Sequence, residues 1–124
     1  MIGYTTLGTN DLERSCQFYD AIFSILGAVR IFEEDGFVLW GTSMETCGLA
    51  VTKPFDGNAA TVGNGVMPAI KVSSKALVDE IYNKAIELGA QDEGAPGDRA
   101  AGFYAAYFRD LDGNKLNVFI LDMA

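Results

Sequence analysis

Proton-transfer and metal-binding side chains are sparse in this sequence, and that sparseness narrows the chemistry first. There is no histidine, so neither a Ser-His nor a Cys-His nucleophilic pair can form. No GxxxxGK[ST] run is present to cradle a phosphate, and no GxSxG run to raise a serine. Gly63-x-Gly65 is not a dinucleotide fingerprint, because Pro68 stands where the third glycine belongs and the segment precedes a strand. Asp110-Leu111-Asp112-Gly113-Asn114 has a passing likeness to a calcium loop. A third oxygen ligand should precede its glycine, however, and Leu121 fills the place of the bidentate glutamate, so a turn is expected. Cys16 and Cys47 form no CxxC pair, and both are expected as buried, reduced thiols. The phenols remain: Tyr4, Tyr104 or Tyr107 could act as a general acid, given a strong pKa shift.

The elements that would position these groups repeat. Ile2–Leu7 reads as a strand and Asn10–Gly27 as a helix, with short strands following up to about Val51. Near residue 66 the order restarts: a strand at Val66–Val72, a helix at Ser74–Gly89, then strands to the end. Two β-α-β-β-β modules are predicted, residues 1–52 and 65–124, joined by a Gly- and Asn-rich linker over 53–64 in one domain of 124 residues. Asn10 or Asp11 can cap the first helix, and Leu12, Cys16, Tyr19, Phe23 and Leu26 give it one apolar face. Ser73 or Ser74 can cap the second, whose stripe is Leu77, Ile81, Ala85 and Leu88. Asp35-Gly36 predicts a hairpin between Ala28–Glu33 and Phe37–Gly41. A short strand near Ala90–Glu93 and a loop over Gly94–Gly102 should lead to strands Phe103–Arg109 and Lys115–Leu121.

Composition sets the partners. The net charge is −8 with no Lys/Arg cluster along the chain, which excludes a nucleic-acid stripe and disfavours an anionic membrane surface. The acidic balance suits cationic ligands. No apolar run approaches the ~20 residues that span a bilayer, and Met1-Ile2-Gly3-Tyr4 carries no basic leader. A cytoplasmic protein is expected.

The segment Met1–Ser15, followed by Phe18-Tyr19, resembles the opening of the vicinal-oxygen-chelate superfamily: glyoxalase I, the bleomycin-resistance proteins and the extradiol dioxygenases. Gly63-Asn64-Gly65-Val66-Met67 resembles the start of that family's second module. Gly94-Ala95-Pro96-Gly97 and Tyr104–Leu116 resemble its closing hairpin. The resemblance covers nearly the whole chain. It implies an α+β fold in which two βαβββ modules form a barrel-like cleft, and a homodimer. It also implies where a divalent cation would be held in relatives, usually by His and Glu. Here those places fall on Tyr4, Met67, Asn117 and, more loosely, Leu49 or Ala50. A phenol, a thioether, an amide and an alkyl group make a poor ligand set, so no metal and no other cofactor is expected.

Alternation along the strands then sends Tyr4, Thr6, Met67, Ala69, Tyr107, Asn117 and Phe119 into the cleft, with Trp40 or Leu39 closing the other end. Aromatic residues at alternating positions also fill cores, so Tyr4, Met67 and Asn117 stand out only through their match to the family positions. A lining of rings with a few hydroxyl and amide groups suits a small aromatic or cationic molecule. The expected function is therefore a metal-free binding protein resembling the bleomycin-resistance proteins. The alternatives are a glyoxalase- or dioxygenase-type metalloenzyme with altered ligands, a metal-independent enzyme using a tyrosine, or a structural role.

Overall fold

The computed structural model describes residues 1–122. The chain divides into two compact units, Met1–Gly63 and Asn64–Ala124. Each is a four-stranded sheet with one helix, and the class is α+β.

In the first unit β1 (Tyr4–Gly8), α1 (Leu12–Ser24), β2 (Val29–Glu34), β3 (Phe37–Gly41) and β4 (Gly48–Thr52) follow in order, and the strands lie β1-β4-β3-β2. β1 pairs parallel to β4; the other pairings are antiparallel. Of the two candidate caps, Asp11 starts α1: its carboxylate accepts the Arg14 N–H at 3.1 Å. The helix buries Ser15, Cys16, Phe18, Tyr19, Ile22 and Phe23. Its inner stripe is thus centred further round than expected, with Phe18 and Ile22 inside and Leu12 and Leu26 only partly covered. Leu7, Val38, Trp40, Leu49 and Val51 are buried on the side of the sheet that faces α1, and Leu39 and Ala50 on the other side are buried as well. Each such side chain larger than alanine contributes about 1.5–3 kcal/mol on burial.

The segment expected as a linker belongs largely to this unit. Asn10 and Ala60 exchange two hydrogen bonds, at 3.2 and 2.7 Å.

The second unit repeats the plan with β5 (Ala69–Lys71), α2 (Lys75–Glu87), β6 (Gln91–Ala100), β7 (Phe103–Arg109) and β8 (Lys115–Leu121), ordered β5-β8-β7-β6. Ser74 caps α2, accepting from the Leu77 N–H at 3.2 Å. The helix buries Val78, Ile81 and Ala85.

Two elements differ from expectation. β5 is only three residues long, because Pro68 has no N–H for the ladder and contributes only its carbonyl, which accepts the Asn117 N–H at 3.0 Å. β6 runs through the expected loop as far as Ala100, but its register against β7 shifts three times. Gly94, Pro96 and Gly97 sit at the first two and the third falls between Asp98 and Ala100; a bulged strand keeps pairing there without a regular ladder.

The Asp110–Asn114 segment is a turn, as expected. The Asp110 carboxylate accepts from the Asp112 and Asn114 N–H groups and from the Asn114 carboxamide, at 2.9–3.0 Å. Among the described residues, no helix is long and apolar enough to cross a membrane.

Candidate functional site

A sheet covered by a helix on one side leaves its other side free to bind. In the first unit strand pairing places Tyr4, Thr6, Ala50, Leu39, Phe37 and Phe32 on the side opposite Val38 and Trp40. Tyr4 meets Phe37 edge-to-face with ring centres 5.9 Å apart, and Phe32 meets Phe37 at 6.0 Å. This three-ring cluster is open: Tyr4 is 54% and Phe32 42% exposed. Around it lies a hollow of about 740 Å³, which Leu39, Met44, Pro54 and Phe55 also line, with Glu34, Asp35 and Lys53 among its charged residues. Thr6 shares the face but does not line the hollow.

Trp40 is not on this face. One residue out of phase with Leu39, it lies buried against α1, with ring centres 5.7 Å from Tyr19 and 5.9 Å from Phe23. Its indole N–H donates to Asp20 at 2.8 Å. Of the two residues expected to close that end, Leu39 is the one on the free side. Phe32 and Phe37 were missed. The alternation of Phe37 and Leu39 against Val38 and Trp40 could have found Phe37. Phe32 could not be placed, because the irregularity between Arg30 and Phe32 breaks the phase of β2.

In the second unit Ala69, Tyr107, Asn117 and Phe119 do share one face. Asn117 lies directly across from Ala69 on one side and Tyr107 on the other. Phe119 is tilted on Phe103 at 5.4 Å. Met67 precedes β5 and is 38% exposed. Asn117 is only 2% exposed, and its Nδ2 donates to Ala106 O at 3.0 Å. Cations accompany Tyr107, unforeseen because they come from different strands: Arg99 and Lys115 lie 5.5 and 5.6 Å from its ring centre.

The remaining chemical candidates fall elsewhere. Tyr104 points to the helix side, where its hydroxyl donates to Asp79 at 2.6 Å. That bond holds the phenol above its ordinary pKa, the wrong direction for a general acid near neutrality. Cys16 is buried and its thiol is pushed up by burial, whereas Cys47 is exposed, contrary to expectation. It lies outside β4, in the connection from β3. Neither cysteine is in a disulfide.

The donor set does not suit the divalent cation of this family plan. No three or more Cys, Asp or Glu side chains among the described residues come together to hold one, and histidine is absent from the chain. Leu49 and Ala50 are buried and carry no donor. No metal-dependent step follows from these residues.

The family model described as the Glyoxalase/Bleomycin resistance protein/Dioxygenase superfamily matches residues 1–118. The chain belongs to that superfamily. It is 31% identical to a glyoxalase/bleomycin resistance protein from Albidiferax ferrireducens T118, with a TM-score of 0.90 over 98% of this chain and 99% of that one. It is 26% identical to the hypothetical protein SA1046 from S. aureus, with a TM-score of 0.73 over 97% and 92%. The lactoylglutathione lyase from Agrobacterium tumefaciens, 22% identical with a TM-score of 0.68 over 97% and 92%, shares the fold. No curated protein matches the chain.

Proposed function

We propose that this superfamily member binds a small aromatic or cationic organic molecule on the free aromatic face of its first unit, without metal chemistry. The observation that carries the reading is the open cluster of Tyr4, Phe32 and Phe37 around the 740 Å³ hollow. Large exposed apolar residues cost solubility unless something covers them. Met44 and Phe55, on the same hollow, are exposed as well. Ring faces attract cations, by about 0.5–2 kcal/mol per contact, and Glu34 and Asp35 add negative charge beside the rings. Lys53 offsets part of that charge.

The test is calorimetric titration with phenyltrimethylammonium, using tert-butylbenzene sulfonate as the anionic counterpart. The cation should bind, and Phe37→Ala should weaken it about tenfold, the loss of one ring contact with its buried area. Equal affinity for cation and anion, or a Phe37→Ala variant that binds unchanged while remaining folded, would falsify the reading. The same reading takes the protein as a cytoplasmic homodimer that engages neither nucleic acid nor membrane. Its two free thiols and its net charge of −8 support this.

A further inference from the structure

One ring on the hollow of the first unit is left wholly in water. Phe55 is fully exposed, yet it lines the hollow beside Tyr4, Phe32 and Phe37. An aromatic side chain there forgoes one of the largest apolar contacts a residue can make.

The backbone holds the ring in that position. On one side of it the Lys53 N–H donates to the Gly36 carbonyl at 2.8 Å. On the other, Asn10 and Ala60 exchange their two hydrogen bonds. Ala60 also packs close to the end of β1, where a Cβ built on Gly8 would lie 3.0 Å from the Ala60 Cβ. Between these anchors the segment bonds to itself. The Gly57 N–H donates to the Pro54 carbonyl at 3.1 Å, and the Asn58 N–H and carboxamide donate to the Asp56 carboxylate at 2.9 and 3.2 Å. Gly57 has a φ of 76°, which glycine adopts without steric cost. Residues 54–59 are therefore a preformed turn hung from two fixed points. Such a turn can pivot as a unit about its ends.

We infer that Phe55 closes over a bound ring and sets the specificity of this face for flat aromatic cations, an inference that rests on the function proposed above. Tyr4, Phe32 and Phe37 cover one face of the ligand ring, and Phe55 covers the other. Contact on both faces adds ring–ring attraction. It also removes water beside the cationic group, which strengthens the pull of Glu34 and Asp35 on it. A saturated ring of the same size and charge has no flat face to stack and gains little from Phe55.

The test compares phenyltrimethylammonium with cyclohexyltrimethylammonium, each titrated by calorimetry into the intact protein. Phe55→Ala should weaken phenyltrimethylammonium roughly fivefold to tenfold, the loss of one ring contact, and the saturated cation at most about twofold. Phe55→Tyr should bind as tightly as the unaltered protein. Because the ring is fully exposed, Phe55→Ala should leave the urea midpoint where it was, which separates lost affinity from lost folding. In the complex, nuclear Overhauser contacts should run from the probe ring to both Phe37 and Phe55. Unchanged binding of phenyltrimethylammonium by Phe55→Ala, an equal loss for the two cations, or contacts to Phe37 alone overturns the inference. So does a light-scattering mass that halves in Phe55→Ala, which assigns the ring to a contact between copies. Binding that falls in Phe37→Ala and not in Phe55→Ala sinks this inference alone. No binding by the unaltered protein, or indifference to Phe37→Ala, sinks the function on which it rests.

Discussion

Asp20 holds two partners from different strands. Arg30 donates to its carboxylate at 2.7 and 2.9 Å, and the Trp40 indole donates at 2.8 Å. The Arg30 hydrogen bonds hold the Asp20 carboxyl below its ordinary pKa, and the partnership raises that of Arg30. A carboxyl whose folded pKa is depressed adds stability above its unfolded value of 3.8 and loses it as pH falls through the folded one. Stability should therefore drop as pH falls below ~4, and Asp20→Asn should flatten that part of the profile. Fluorescence of the single tryptophan, followed through urea unfolding at several pH values, reads this directly. The same contact explains what the sequence hid about Trp40. Nothing in its neighbours reveals an acid nine residues downstream of the helix cap waiting for an indole. Tyr4, by contrast, was legible, because strand alternation and the family position agree on it.

At the level of elements, the duplicated order of strands and helices could be read from periodicity and capping residues. Strand ends could not, where backbone chemistry intervenes: Pro68 cut β5 short, and glycine-borne register shifts let β6 run on where a loop was expected. The Asp110–Asn114 turn joins β7 to β8 through three hydrogen bonds to one buried carboxylate. Asp110→Ala should cost roughly 3 kcal/mol, measured as a fall in the urea midpoint with unchanged slope. β4 begins at a close approach. A Cβ built on Gly48 would lie 2.7 Å from the Trp40 carbonyl and 2.8 Å from a Leu39 methyl. Gly48→Ala should destabilise by about 1–3 kcal/mol through overpacking, checked in the same denaturation experiment, and should disturb the Tyr4 face because Gly48 pairs with Tyr4.

For the whole molecule, the distribution of charge says more than its sum. A net of −8 suited cationic ligands, yet strand pairing brings Lys71 and Lys115 to one face of the second sheet, and Arg99 and Lys115 both lie over the Tyr107 ring. Among the described residues, β1 and β2 are the outer strands of one sheet and β5 and β6 those of the other. Such edges pair with other chains unless covered. Light scattering should give a mass of twice 13.3 kDa; a value of 13.3 kDa would sink the homodimer. One further property follows from the two parallel pairings. Tyr4 must wait for Gly48, and Ala69 for Asn117, whereas each antiparallel hairpin can close on residues made almost together. As the chain leaves the ribosome, β1 therefore stays without its partner until almost all of its unit has been synthesised. The late, long-range closure of each sheet should set the pace of folding, and the ring of Tyr4 is among the last to reach its place.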